Sequence, residues 1–279
     1  MPELPEMQAL GERLQRALGT KVLVEFALLG FSALKTVLPP PKDLVGQALQ
    51  EVRRRGKFLV LEWTSGAALL VHLSQAGRLD LERPSKATKP RGSLARLVFD
   101  DGTGVLVREH GTQRKAGLWV LAPGDEGPLA TLGPEPFDEA FEAVVMGSES
   151  PRQLHTILRD QRVVAGIGRG YADDALNRAG LSPFASLRSL DACQRRRLLR
   201  SVRSVLAEAL ERERTREGGL SEPRLGARFA VHNRGGSPCP ACGRTLERVS
   251  FDSREVVYCP ACQTKGRVLA DRRLSRLLR

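Results

Sequence analysis

Two Cys-Pro-Ala-Cys pairs, Cys239 with Cys242 and Cys259 with Cys262, stand sixteen residues apart and constrain this 279-residue chain more than any other feature. Each pair clasps one side of a tetrahedral ion, and two pairs at this spacing supply four thiolates, leaving no open position for a catalytic water. The expected ligand is one structural Zn2+ held by Cys239, Cys242, Cys259 and Cys262. The β-prone run Val256-Val257-Tyr258 leads into the second pair and predicts a zinc ribbon or hairpin. The fifth cysteine, Cys193, falls in a helical stretch and is expected to be a small packed side chain. A metal site rather than a disulfide framework suits a reducing compartment. The opening Met1-Pro2-Glu3-Leu4-Pro5-Glu6 has neither the basic nor the apolar region of a signal peptide. No stretch approaches the ~18 apolar residues of a membrane span, so a cytoplasmic location is expected.

The formal charge of +12 is concentrated in one half of the chain. Residues 1–150 carry 18 Lys and Arg against 19 Asp and Glu, whereas residues 151–279 carry 26 against 13, and 25 of those 26 cations are arginine. Arginine presents a rigid, always-charged fork that matches phosphate oxygens, so this field points to nucleic acid before a small acidic substrate. A solvated basic face would give the same count.

The pattern along the chain divides it into three. Met7, Leu10, Leu14 and Leu18 recur at helical spacing behind Pro5, which predicts a helix over 5–18. From 20 to 122 short β-like runs follow, at 21–28, 58–63, 67–73, 78–81, 94–99, 104–107 and 117–121, broken by Gly, Pro and Asp-Gly turn signals; they predict a β-sandwich. After the Gly/Pro-rich passage 123–136, helices are expected over 138–146, 151–159, 171–179 and 189–213. Residues 218–236, with five glycines and one proline, read as a linker. The fold class is therefore multidomain α+β. An N-terminal β-sandwich with a leading helix spans 1–125, a helical domain 137–217, and the four-cysteine module 236–279.

Pro2 is small enough for the initiator methionine to be removed, which leaves a secondary α-amine at the head of the chain. Such an amine has an ordinary pKa near ~8, far below lysine, and is partly nucleophilic at neutral pH. It can attack the anomeric carbon of a sugar to give an imine, with Glu3 and Glu6 close enough in sequence to manage protons. Proline and glutamate at a helix start also serve ordinary capping.

Across essentially its whole length the sequence resembles the formamidopyrimidine-DNA glycosylase and endonuclease VIII family. The resemblance rests on Met-Pro-Glu-Leu-Pro-Glu, on Arg53-Arg54-Arg55-Gly56-Lys57-Phe58-Leu59, on His72-Leu73 before Ala76-Gly77, and on Leu132-Gly133-Pro134-Glu135-Pro136. It continues through Gly166-Ile167-Gly168 with Tyr171-Ala172-Asp173, and ends with the cysteine module and Gln263. It implies a bifunctional base-excision repair enzyme whose helical part is a helix-two-turn-helix domain. In the family the N-terminal proline attacks C1′ of the damaged nucleotide, the base leaves, and the Schiff base undergoes β,δ-elimination. By position, Pro2 would be the nucleophile, Glu3 the general acid/base, Glu6 its support, and Lys57 a phosphate contact assisting catalysis. Gly168, Arg169 and Tyr171 would bind phosphate at a glycine-rich turn opening a helix. Arg254 would grip the phosphates flanking the extruded nucleotide, which must leave the stack for an amine to reach C1′. The implied partner is double-stranded DNA with damaged bases or abasic sites, bound by a monomer that associates with the nucleoid.

Several positions depart from the family pattern. Arg169 stands where the turn carries asparagine, Asp174 where glutamate is usual, and His155 where the first helix of the motif supplies lysine. The residues that fill the gap left by the extruded base would be Gln75, Arg114 and Ala116, where one family branch has methionine, arginine and phenylalanine. A different wedge is then needed, Gln75 with Arg114 or Gln113, unless 111–116 is only a polar turn. The stretch from Gly218 to Val231 is shorter than in the 8-oxoguanine-excising branch, which points toward oxidised pyrimidines, ring-opened purines or abasic sites. Two alternatives stand beside the glycosylase: an abasic-site lyase with little glycosylase activity, and a non-catalytic damaged-DNA-binding protein.

Overall fold

The computed structural model describes residues 1–110, 115–220, 228–251 and 254–269, the side chains of Phe251 and Arg254 excepted. The chain divides into two compact units, Met1–Thr131 with Leu210–Pro223, and Leu132–Ala209 with Arg224–Arg279.

The first unit is a sandwich of two four-stranded antiparallel sheets with a helix at its head. Helix α1, Leu4–Leu18, carries Pro5 in its first turn and buries Leu4, Met7, Leu10, Leu14 and Leu18. One sheet has the order β1-β6-β7-β5, formed by β1 Leu23–Leu28, β5 Gly77–Glu82, β6 Ser93–Phe99 and β7 Gly104–Glu109. The other has the order β2-β3-β4-β8, formed by β2 Leu49–Arg55, β3 Phe58–Trp63, β4 Ala68–His72 and β8 Gly117–Leu121. Strand alternation sorts the side chains: Leu59, Leu61 and Trp63 enter the main core with Met7, Leu14 and Leu97, while Val60 packs with Leu70 and Leu121 on the opposite side of the sheet. That double coverage is why β3 and β4 read as nearly continuous apolar runs. Strand β2 is absent from the sequence-based expectations because its Gln-Glu-Val-Arg-Arg-Arg run is largely exposed and charged. Pairing with β3, rather than its own composition, makes it a strand.

The return of 210–220 to the first unit has side-chain causes. Arg214 pairs with Glu12 at 2.6 Å, Arg13 donates to the Glu213 and Arg216 carbonyls, and Leu220 joins the core.

The second unit carries α2 Glu139–Gly147, α3 Leu154–Arg159, α4 Arg169–Ala179 and α5 Ala192–Thr215, the last running on into 210–215 of the first unit. These are followed by the hairpin β9 Glu247–Phe251 with β10 Arg254–Tyr258, and the short α6 Pro260–Thr264. Two expectations are corrected here. Cys193 is exposed on α5, not packed, because it lies outside the buried stripe Arg195, Leu198, Leu199, Val202 and Val205. The expected linker 218–236 includes a segment, 228–232, built into the domain: Val231 is fully buried, and Ala230 and Val231 donate their N–H groups to Asp174 on α4 at 2.8 and 2.9 Å. Glycine content gave the linker reading, and one buried carboxylate overrides it.

Candidate active site and metal centre

In the first unit the expected catalytic residues gather at one rim of the sandwich. Gln8 on α1 accepts from Arg54 at 3.0 Å, and Gln15 accepts from the Val52 N–H at 2.5 Å. The helix therefore runs against β2 with its N-terminus toward the β2–β3 turn. That turn is the two-residue loop Gly56-Lys57 between paired Arg55 and Phe58, with Gly56 at φ +57, the positive φ that favours glycine in such loops. Glu3 caps α1 and is only 4% exposed. Its N–H donates to Glu6 Oε2 at 2.8 Å, and its carboxylate faces the Glu6 N–H in a capping box. Pro2 stands one residue before this cap, so the carboxylate nearest the chain's first amine is held by the helix start itself.

Lys57 is 6% exposed, more interior than the tip of a loop suggests. Beside it lies His72, paired across the strands with Phe58, whose ring centroid is 4.8 Å away. Burial, and then the Lys57 ammonium, push the His72 imidazole down to about 4. At neutral pH it is an uncharged hydrogen-bonding group next to a lysine.

The turn 73–76, His110, Lys115 and Ala116 share this rim. Gly77 pairs with Glu109, His110 N–H donates to the Ala76 carbonyl at 3.1 Å, and the Glu109 carboxylate accepts the N–H groups of Lys115 and Ala116 at 3.0 and 3.2 Å. Gln75 is exposed at the turn. Ala116 is buried and its methyl group is part of the core. Arg114 and Gln113 lie outside the described residues.

In the second unit, Gly168 is the N-cap of α4 and Arg169 its first residue, half-buried. Tyr171 is 2% exposed, its ring edge-on to Phe229 at 5.1 Å, so a side chain expected at a DNA surface is interior. Gly170 leaves the room that the Phe229 ring occupies: a Cβ there would collide with it. His155 is also buried, with Nε2 3.1 Å from Asp173 Oδ1, where the expectation left a weakened phosphate contact. The other oxygen of Asp173 lies 2.6 Å from His232 Nδ1, so one buried carboxylate is flanked by two imidazoles. Arg254 opens β10, opposite Phe251, and its side chain lies outside the described residues.

The four cysteine sulfurs lie within 4.8 Å of one another, with Cys242 and Cys259 3.5 Å apart. Sulfurs around a tetrahedral zinc at the usual bond length of ~2.3 Å stand about 3.8 Å apart, so the set fits the ion. Burial, followed by the neighbouring Cys242 and Cys259 sulfurs, pushes the Cys262 thiol strongly up. Four thiolates so close need a dication to coexist. Helix α4 braces the site from outside. Asn177 Nδ2 reaches the Cys239 sulfur at 3.8 Å and Gln263 Oε1 at 3.0 Å. Gln263 in turn accepts from the Cys259 N–H at 2.8 Å and donates to the Leu181 carbonyl at 2.8 Å. These hydrogen-bonded supports fix ligand orientation. Sequence reasoning missed Asn177, Glu109, His232 and the role of His72; their only signal would have been polar residues at positions whose neighbours are apolar.

An N-terminal β-sandwich led by a capped helix, a helical domain with a glycine-opened helix, and a four-thiolate zinc finger together define a DNA-glycosylase architecture. Family models agree piece by piece: the formamidopyrimidine-DNA glycosylase N-terminal domain over 1–118, its H2TH domain over 132–218, and the zinc finger found in FPG and IleRS over 236–265. The formamidopyrimidine-DNA glycosylase of Thermus thermophilus is 38% identical over 286 residues, covering 95% of this chain and all of that protein. That of Pelobacter propionicus is 34% identical over 274 residues, covering 94% and 100%. The crystal structure of the Thermus thermophilus protein superposes with a TM-score of 0.79 at 36% identity, over 95% of this chain and 100% of that one. The Lactococcus lactis enzyme, solved non-covalently bound to DNA containing an AP site, shares the fold with a TM-score of 0.82 at 22% identity, over 94% and 99%. The chain belongs to the formamidopyrimidine-DNA glycosylase family, as an enzyme of the DNA glycosylase class with one structural zinc. Among the described residues no helix is long and apolar enough to cross a membrane.

Proposed function

We propose that this enzyme is a bifunctional DNA glycosylase and abasic-site lyase that works through Pro2. The reading rests on one observation above all: the carboxylate adjoining the chain's first amine, Glu3, is buried as the cap of α1, whose N-terminus points to the turn that carries Lys57. With Met1 removed, the proline nitrogen attacks C1′ of the damaged nucleotide, the C1′–base bond breaks, and the base leaves with a proton. Glu3 supplies the proton that opens the deoxyribose ring at its oxygen, and Glu6 holds Glu3 in place through the cap. The resulting iminium makes the C2′ hydrogen acidic. Its loss expels the 3′ phosphate, and a second elimination expels the 5′ phosphate. Lys57 with uncharged His72 offers a lysine charge and a neutral imidazole to a backbone phosphate at the same rim.

The partner in this reading is double-stranded DNA carrying oxidised or ring-opened bases or abasic sites, bound by a monomer. Arg169 and Arg254 contribute phosphate contacts, Gly168 a backbone N–H near the start of α4, and Gln75 and Arg114 the groups nearest the opposite base. The net charge of the chain favours such binding and a nucleoid association. The domain limits 1–125, 137–217 and 236–279 remain part of this proposal.

Borohydride trapping on duplexes carrying an abasic site, 8-oxoguanine, a formamidopyrimidine or dihydrouracil, with mass spectrometry of the adduct, tests it. Adducts on Pro2 with base lesions support the glycosylase and name its substrates. Trapping with the abasic duplex alone supports a lyase with little glycosylase activity. No adduct from zinc-loaded protein lacking Met1 refutes both.

A further inference from the structure

Phe31 is 87% exposed; a single exposed apolar side chain is ordinary on a soluble domain, and what distinguishes this one is its place. It begins a single 3-10 turn, Phe31–Ala33, in the connection between β1 and β2. The turn is pinned on both sides. Before it, the Gly30 N–H donates to the Leu94 carbonyl at 2.9 Å, at the start of β6. After it, Leu34 forms a parallel bridge with Leu118, and the Lys35 N–H donates to the Leu118 carbonyl at 2.8 Å. In a parallel bridge the preceding residues lie on the same side, so 31–33 stand beside Ala116 and Gly117 and not further along β8. Gly117 is paired with His72, and His72 with Phe58. The turn therefore belongs to the rim that gathers Lys57, Gln75, His110 and Ala116.

Two facts at this rim call for an aromatic. A duplex from which one nucleotide has been extruded presents an unstacked gap and an orphaned base, and proteins hold such gaps open with apolar or aromatic side chains. Here Gln75 is polar and Ala116 has its methyl group in the core. Phe31 is the exposed aromatic of the described residues at that rim. We propose that Phe31 stacks on a base of the bound duplex at the gap. The inference rests on the base-excision reading of the same rim.

The test places 2-aminopurine opposite a tetrahydrofuran abasic analogue in a duplex and follows its fluorescence and the affinity. Wild-type protein should quench the probe. Phe31→Ala should lose the quench and bind about 5- to 150-fold more weakly, the range of ~1–3 kcal/mol per stacked base. Phe31→Trp should restore both. Val37→Ser, at a side chain 88% exposed on the other side of Leu34 from the rim, should change neither. If Phe31→Ala quenches and binds as wild type does, the stack is refuted and the base-excision reading stands. An equal loss in Val37→Ser also refutes it, because the effect is then general stickiness. If wild-type protein neither binds the abasic duplex nor forms a borohydride adduct, the parent reading fails and takes the stack with it.

Discussion

The Asp174 carboxylate accepts the backbone N–H of Val231 at 2.9 Å, and through this bond the first turns of α4 organise the approach to the zinc finger. Ala230 and His232 donate to the same carboxylate at 2.8 and 3.3 Å. Burial pushes the Asp174 carboxyl up, and the three N–H groups oppose that.

Asp174→Ala leaves those donors without their acceptor in a mostly buried site. The expected loss is about 2–4 kcal/mol, because each buried unsatisfied group costs ~1–3 kcal/mol. Thermal unfolding should show a lower midpoint, and a chromogenic chelator should take zinc from the variant faster than from wild type. Equal release rates would show that 228–232 does not brace the finger.

Glu3→Gln keeps an oxygen for the cap of α1 but removes the acid. The midpoint of unfolding should move little, while single-turnover strand cleavage should fall about 10²- to 10⁴-fold, the usual weight of a positioned acid/base. A variant that unfolds early would mark Glu3 as a structural cap only.

Pro2→Gly replaces the secondary amine with a primary one. Borohydride trapping on an abasic duplex should slow, with binding to the tetrahydrofuran analogue unchanged. Trapping at the wild-type rate through another residue would remove Pro2 from the mechanism.

His72 should stay neutral from pH 8 to pH 5 in an NMR titration and take up its proton near pH 4. Its folded pKa is lowered, so the unfolded chain binds the proton first as pH falls. The associated stability is present above about pH 6.5 and is lost between there and about pH 4. Lys57→Met should raise the His72 midpoint partway, because burial is the larger cause and remains. An unchanged midpoint would show that the two side chains do not interact.

Removing zinc, or Cys239→Ser, should abolish DNA binding while the fluorescence of Trp63 in the sandwich core stays that of the folded protein. The expected reason is that the four thiolates repel one another without the ion, whereas the first unit has its own core. Joint loss of both signals would show that the first unit depends on the finger.

Much of the molecule was legible in the amino-acid order because local rules carry it. Pro5 and the spacing of Met7, Leu10, Leu14 and Leu18 specify α1, seven of the eight sandwich strands announce themselves as β-prone runs between turns, and cysteine spacing alone defines the metal site. The residues so found obey short-range periodicity or ligand geometry. What needed the tertiary structure was every property set by distant partners. Strand β2 exists because β3 pairs with it, and Tyr171 and His155 are interior because Phe229 and Asp173 cover them. His72 is held neutral by burial and by Lys57, fifteen positions away, and Phe31 reaches the rim through a bridge between Leu34 and Leu118. Burial and electrostatics depend on what the chain folds against. A sequence states which groups are available; long-range packing decides which of them are desolvated, charged or left exposed.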